Sequence, residues 1–280
     1  MVLENPPIFE EKEYLLDVKL QTSQKLAFEF LETIGVKFND LMLTDLGTLN
    51  LNFKNYIDLK DNELMSYSEY KDGSLDVNIV YYNDLSDCYT IIHELLHALN
   101  TVIEDDLSKK YRRDILTETI SLLGTVEAEK YFLKTRLNDE FTINKMDDYY
   151  GIYENALKTK DTLNLLDTYL EKGQIDDNDL RYVDEDTVNE ILTLEEIQIP
   201  FYERYILAYV LVNYIEANYN GKDILIRLMD MIKNNTLEEI FSYLNLDFNI
   251  IKVNNNIEFI TDISDNSLER LRKALNSKTK

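Results

Sequence analysis

Leu26, Phe28, Phe30, Leu31 and Ile34 recur at helical spacing and stop at Gly35, which predicts a first helix closed by a glycine in the left-handed conformation. Between residues 41 and 82 the period becomes twofold. Leu49, Leu51 and Phe53 alternate with Thr48 and asparagines, and Leu75, Val77, Ile79 and Tyr81 alternate with Asp76, Asn78, Val80 and Tyr82. With Asp72-Gly73 as a turn signal, this stretch predicts a small sheet that includes a hairpin. The helical period then returns and predicts helices over 86–102, 107–137, 143–157, 162–170, 177–194, 201–217, 222–232 and 237–244. Strands at 248–253 and 257–260, separated by three asparagines, form a late hairpin, and 267–275 closes the chain as a basic amphipathic helix. Prolines occur only at 6, 7 and 200, so the strongest helix breaker is missing from the whole stretch between.

The expected fold is mainly α with a small β-sheet, an α+β class, in a single domain over 1–280. Within it, 1–82 supplies the first helix and the sheet, 83–245 a helical core, and 246–280 the final hairpin and helix. The 53 acidic residues outnumber the 29 basic ones and give a net charge of −24, so nucleic-acid backbone and anionic membrane surface both repel this chain. No apolar run approaches the roughly 18–20 residues of a membrane span; the longest, 206–215, is broken by Tyr209, Asn213 and Tyr214. One cysteine, Cys88, forms no internal disulfide and reads as a small buried hydrophobe, and the first residues are acidic where a signal peptide is basic. These features together lead to the expectation of a cytoplasmic protein.

The chain has two histidines, and they fall four apart in Ile91-Ile92-His93-Glu94-Leu95-Leu96-His97-Ala98-Leu99, an H-E-x-x-H pattern on a predicted helix that follows a predicted strand. Residues four apart stack on one helix face, so both imidazoles can reach one Zn²⁺. Glu94 is rotated by about 100° from His93, which places it beside the ion's open position as a general base. Three protein ligands are usual for a catalytic zinc. No histidine remains, so the third ligand is a carboxylate. On the next helix Glu118 shares the apolar stripe of Ile115, Leu122 and Thr125, where a carboxylate needs a partner, and Glu127 points away. Glu129 is also near the stripe but about 16 Å further along. The competing explanation for Glu118 is an ion pair with Arg112 or Arg113.

Three segments resemble the thimet oligopeptidase and oligoendopeptidase F group of glutamate-zincin metallopeptidases. Residues 87–98 look like the family's metal helix, and Glu118-Thr119-Ile120-Ser121 is similar to its second helix, in which the glutamate is the third zinc ligand and a serine follows three positions later. Ile199-Pro200-Phe201-Tyr202-Glu203-Arg204-Tyr205 resembles the family's tyrosine-rich segment. The resemblance spans 75–245 and implies a zincin-like catalytic domain, a Zn²⁺ cofactor held by His93, His97 and Glu118, and an oxyanion-stabilising tyrosine, Tyr205 or Tyr202. This chain departs from the family at Leu96, usually glycine, at Thr125, usually glutamate, and by lacking a histidine ahead of the tyrosines.

The expected activity is zinc-dependent hydrolysis of peptide bonds in a peptide or unfolded-protein substrate, with Glu94 moving the proton. Two alternatives accompany it: a catalytically impaired zinc-binding interaction protein derived from a peptidase, and a processing protease with a single target. Without the family, Tyr202, Tyr205, Tyr209 and Val212 read as one apolar helix stripe. The strand at 75–82 is a candidate exposed edge for adding an extended peptide, and the acidic surface favours approach of basic peptides.

Overall fold

The structure is a computed structural model that describes residues 20–37, 43–44, 47–60, 66–71, 73–84, 86–104, 107–135, 199–246, 248–253 and 259–263. The helices expected at 143–157, 162–170, 177–194 and 267–275 lie outside the described residues. Chain order is α1 (Leu20–Thr33), β1 (Leu43–Thr44), β2 (Gly47–Asn55), a 3-10 turn (Tyr56–Asp58), β3 (Tyr67–Lys71), β4 (Ser74–Tyr81), α2 (Ser86–Asn100) and α3 (Leu107–Thr135). It continues with α4 (Ile199–Asn218), α5 (Gly221–Asn234), α6 (Leu237–Tyr243), β5 (Phe248–Val253) and β6 (Phe259–Ile263). Helices and a small sheet share one hydrophobic core, in keeping with the α+β expectation.

The sheet runs β1-β2-β4-β3, with β4 parallel to β2 and antiparallel to β3. Leu75, Val77 and Ile79 are wholly buried, as the alternation of apolar positions requires. β3 and β4 pair antiparallel as a hairpin, and Gly73, just before β4, takes a positive φ of 80°. The expectation of an exposed edge at 75–82 is overturned: β4 is paired on both sides, and the edges are β1 and β3. β3 went unseen because four of its five residues are exposed and Tyr-Ser-Glu-Tyr-Lys carries no apolar alternation.

α2 follows β4 through a tight connection in which the buried Asp87 carboxylate accepts from the amides of Tyr82 at 2.8 Å and Asp84 at 3.2 Å. Burial raises the Asp87 pKa, and the backbone donors oppose that rise. Ile91, Ile92, Leu95 and Leu96 are fully buried, so α2 is enclosed by sheet and helices. It crosses α3 at Gly124: a methyl there would overlap Leu96 Cδ1 outright and stand 3.8 Å from Ile92 Cγ2. Leu96 thus fills the space over a glycine of the facing helix.

α1 ends as expected, with Gly35 at φ 88°. α4 buries Leu207, Ala208, Tyr209, Leu211, Val212, Tyr214 and Ile215, nearly all round, and Pro200 falls in its first turn, where a missing N–H costs little. Asn220 caps α5, and a capping box of Thr236 and Glu239 starts α6. The α5 start is packed against two carboxylates: a methyl on Gly221 would overlap Glu127 and Glu216, which both bind Lys130. No described helix is long and apolar enough to cross a membrane.

Candidate metal centre

Helical geometry stacks His93 and His97 on the face of α2 turned to α3, and their Nε2 atoms lie 3.0 Å apart. α3 brings Glu118 to the same point. Its Oε1 is 3.4 Å from His93 Nε2 and its Oε2 3.2 Å from His97 Nε2. The carboxylate is 1% exposed, and Oε1 has no hydrogen-bond partner. Neither competing arginine reaches it: Arg112 pairs with Glu238 at 2.9 Å, and Arg113 donates to the Ile232 carbonyl at 2.6 Å and faces Glu104 at 3.6 Å. Glu129 and Glu127 are not part of the cluster.

This group of two imidazoles and one carboxylate can hold a metal ion. A tetrahedral ion with bonds of about 2.0–2.1 Å has ligand–ligand edges of about 3.3 Å. The ring nitrogens lie 3.0 Å apart, and each is within 3.4 Å of a different oxygen of the Glu118 carboxylate, so the three groups are close enough to share one ion. The orphaned buried oxygen points the same way, since a desolvated anion with an unused lone pair is costly without a cation. In the metal-free protein the three groups hold one another. Burial works against the charged Glu118, but the charges of His97 and His93 outweigh it and hold its pKa far below the ordinary range. Burial likewise disfavours protonated His93, yet the Glu118 charge, with that of Glu94, raises its pKa.

Glu94 is buried beside the cluster, held by Ser68 of β3, whose Oγ lies 3.0 Å from Glu94 Oε2 and 3.3 Å from the Glu94 carbonyl oxygen. Glu94, His97 and Glu118 line a cleft of about 450 Å³. β3 forms one wall with Ser66, Tyr67, Ser68 and Tyr70, and the first turns of α3 with Arg204 and Tyr205 of α4 form the other. Tyr205 therefore faces the site; burial, then the Glu118 charge, raises its pKa, so it stays a phenol and a donor. Tyr209, one turn on, is 1% exposed and belongs to the core, as the stripe reading expected. The side chain of Tyr202 lies outside the described residues. Cys88 is buried, consistent with a packing role.

Sequence reasoning did not assign Ser68, Lys110, Asp114 or Arg204 to the site. The signal available for Arg204 was its position next to Tyr205; for Lys110 and Asp114 it was the spacing of four from each to the next, ending at Glu118, which puts all three on one helix face. Ser68 had none, since its strand was not visible. No family model matches the chain, and no curated protein or solved structure matches it either.

Proposed function

We propose that this chain is a zinc-dependent metallopeptidase with a zincin-like catalytic domain, hydrolysing peptide bonds in peptide or unfolded-protein substrates. One observation carries the reading: a group of two imidazoles and a carboxylate that could hold a metal ion stands at a cleft lined by His97 and Glu118, beside a buried glutamate that is not in the group. Two imidazoles and a carboxylate in that geometry suit Zn²⁺, and His93, His97 and Glu118 would hold it. When bound, the ion supplies Lewis acidity, polarising a carbonyl and acidifying a water.

The remaining work falls to the chain. Glu94 takes a proton from the attacking water and passes it to the departing amine. Ser68 engages one of its oxygens and keeps the carboxylate turned into the cleft. Tyr205 donates a hydrogen bond to the carbonyl oxygen as it gains negative charge. An extended substrate docks along β3, whose outer side pairs with no strand among the described residues. Filling of the Gly124 space by Leu96 supports an intact helix crossing and removes one motive for reading the chain as an impaired relative.

The test is Glu94→Gln. The variant should keep one bound zinc per chain by elemental analysis and lose cleavage of a mixed peptide library that the zinc-loaded parent digests. Undiminished cleavage by the zinc-loaded variant refutes the role of Glu94, and a parent that retains no metal after dialysis refutes the reading itself.

A further inference from the structure

Further along the helices that form the metal centre, a second group of charged side chains is largely shut away from water. Glu127 and Lys130 of α3 meet Glu216 in the last turn of α4, against Gly221 at the start of α5. Glu127 follows Glu118 by nine residues, about 13–14 Å along α3, and Glu216 follows Tyr205 by eleven on α4. None of the three charged residues lines the cleft or belongs to the metal-binding group.

Two carboxylates share one ammonium here. Lys130 donates to Glu127 Oε1 at 2.8 Å and to Glu216 Oε2. The Glu127 and Glu216 side chains are only 10% and 8% exposed, and Glu216 Oε1 has no hydrogen-bond partner among the described residues. That oxygen does not look out to solvent: a methyl on Gly221 would overlap it and Glu127 Oε1 alike, so the two oxygens converge on one spot. Two desolvated anions with one cation between them leave a charge uncompensated, which is costly in a nearly dry site. The start of α5 lends the positive end of its dipole, about half an elementary charge, and the charged residues of its first turn, Lys222 and Asp223, are of opposite sign.

We propose that Glu127 Oε1 and Glu216 Oε1 hold one proton between them in the folded protein, which makes the α3–α4–α5 junction a clasp that is tight on the acid side and loosens as the proton leaves. A proton on either oxygen donates to the other and turns a facing pair of anions into a hydrogen bond. Burial raises the Glu127 pKa; Lys130 opposes the rise, and the nearby Glu216 charge adds to it. Burial also disfavours the Lys130 ammonium, but its bonds to Glu127 and Glu216 outweigh this and raise its pKa, so it stays charged. The clasp ties together the two helices that carry Glu118 and Tyr205, and it stands whether or not the chain is a peptidase.

Carbon-13 NMR of the full chain, labelled at glutamate Cδ, tests it. One Cδ resonance should titrate with its midpoint displaced upward from the ordinary 4.5. It should be missing from Glu127→Gln, and the displacement should vanish in Glu216→Gln, whose amide nitrogen donates to Glu127 Oε1 while its carbonyl oxygen keeps Lys130. Because the folded state retains a proton that the unfolded chain has lost, stability falls as pH rises from 4.5 through the folded midpoint. The urea midpoint of the parent should therefore drop relative to that of Glu216→Gln over the same range, a comparison in which the titration of His93 and Glu118 cancels. A parent spectrum in which every glutamate titrates at or below 4.5 overturns the shared proton without recourse to a variant, as does a displaced resonance that responds to neither substitution. Urea midpoints that run parallel with pH overturn the clasp.

Discussion

Gly124→Ala probes the contact that sets the distance between the two ligand-bearing helices. In an open helix the change gains about 1 kcal/mol of propensity. Here the new methyl overlaps Leu96 Cδ1, and Leu96 is fully buried, so relief requires an off-rotamer side chain or a shift of α2 against α3. Overpacking of this kind costs about 1–3 kcal/mol, for a net loss of up to about 2. Leu96→Ala alone opens a cavity and costs about 2–5 kcal/mol. In the double variant the alanine methyl enters the vacated space, the overlap vanishes and the propensity gain returns, so the pair should be more stable than Leu96→Ala by about 1 kcal/mol. The coupling energy is then about 1–3 kcal/mol. Denaturant unfolding of the metal-free proteins in chelator measures it, and single effects that add to within about 0.5 kcal/mol would refute the reasoning. Because Leu96 immediately precedes His97 and Glu118 lies less than two turns before Gly124, Gly124→Ala should also weaken zinc binding in a chelator competition, and Leu96→Ala/Gly124→Ala should recover part of it.

Stability should depend on pH with opposite sign in the two metal states. In the metal-free protein the raised pKa of His93 contributes stability that is fully present below its ordinary value of 6.5 and is lost as pH rises through the folded value. Glu118 behaves conversely, contributing above its ordinary 4.5 and losing that contribution as pH falls toward its depressed folded value. Zinc requires unprotonated rings, so Tm of the loaded protein should climb over about pH 5–8 while that of the metal-free protein falls above pH 6.5, and parallel curves contradict this. Tyr205→Phe should lower kcat by roughly 10²-fold or more with little change in KM, and an unaltered kcat removes Tyr205 from the chemistry. Gly221→Ala forces a methyl against the Glu127 and Glu216 carboxylates and should cost about 1–3 kcal/mol in chemical unfolding; a neutral result means that those side chains yield freely.

The convergence of His93, His97 and Glu118 was legible because helical periodicity fixes which residues share a face, and a carboxylate on an apolar stripe demands a partner. α1, β2, β4 and the described helices from α2 to α6 were legible for the same reason. Strand order was not: alternation says which face of β4 is buried and nothing of its neighbours, so the strand read as an edge lies between β2 and β3. The edge strand β3 is polar on both faces and leaves no hydrophobic trace. Spacing puts Lys110 and Asp114 on the Glu118 face of α3, but nothing in the sequence says that this face borders a cleft. Gly124 sits unremarked within a helical pattern, and its meaning appears only when Leu96 is seen across from it.

Both histidines of the chain stand at one point on α2. Every histidine Hε1 resonance in a proton NMR spectrum of the tag-free protein, read in D2O after amide exchange, therefore comes from this centre. Adding zinc, cobalt or a hydroxamate shifts those few resonances directly, so occupancy, protonation and ligand contact can be followed in unlabelled material without sequential assignment.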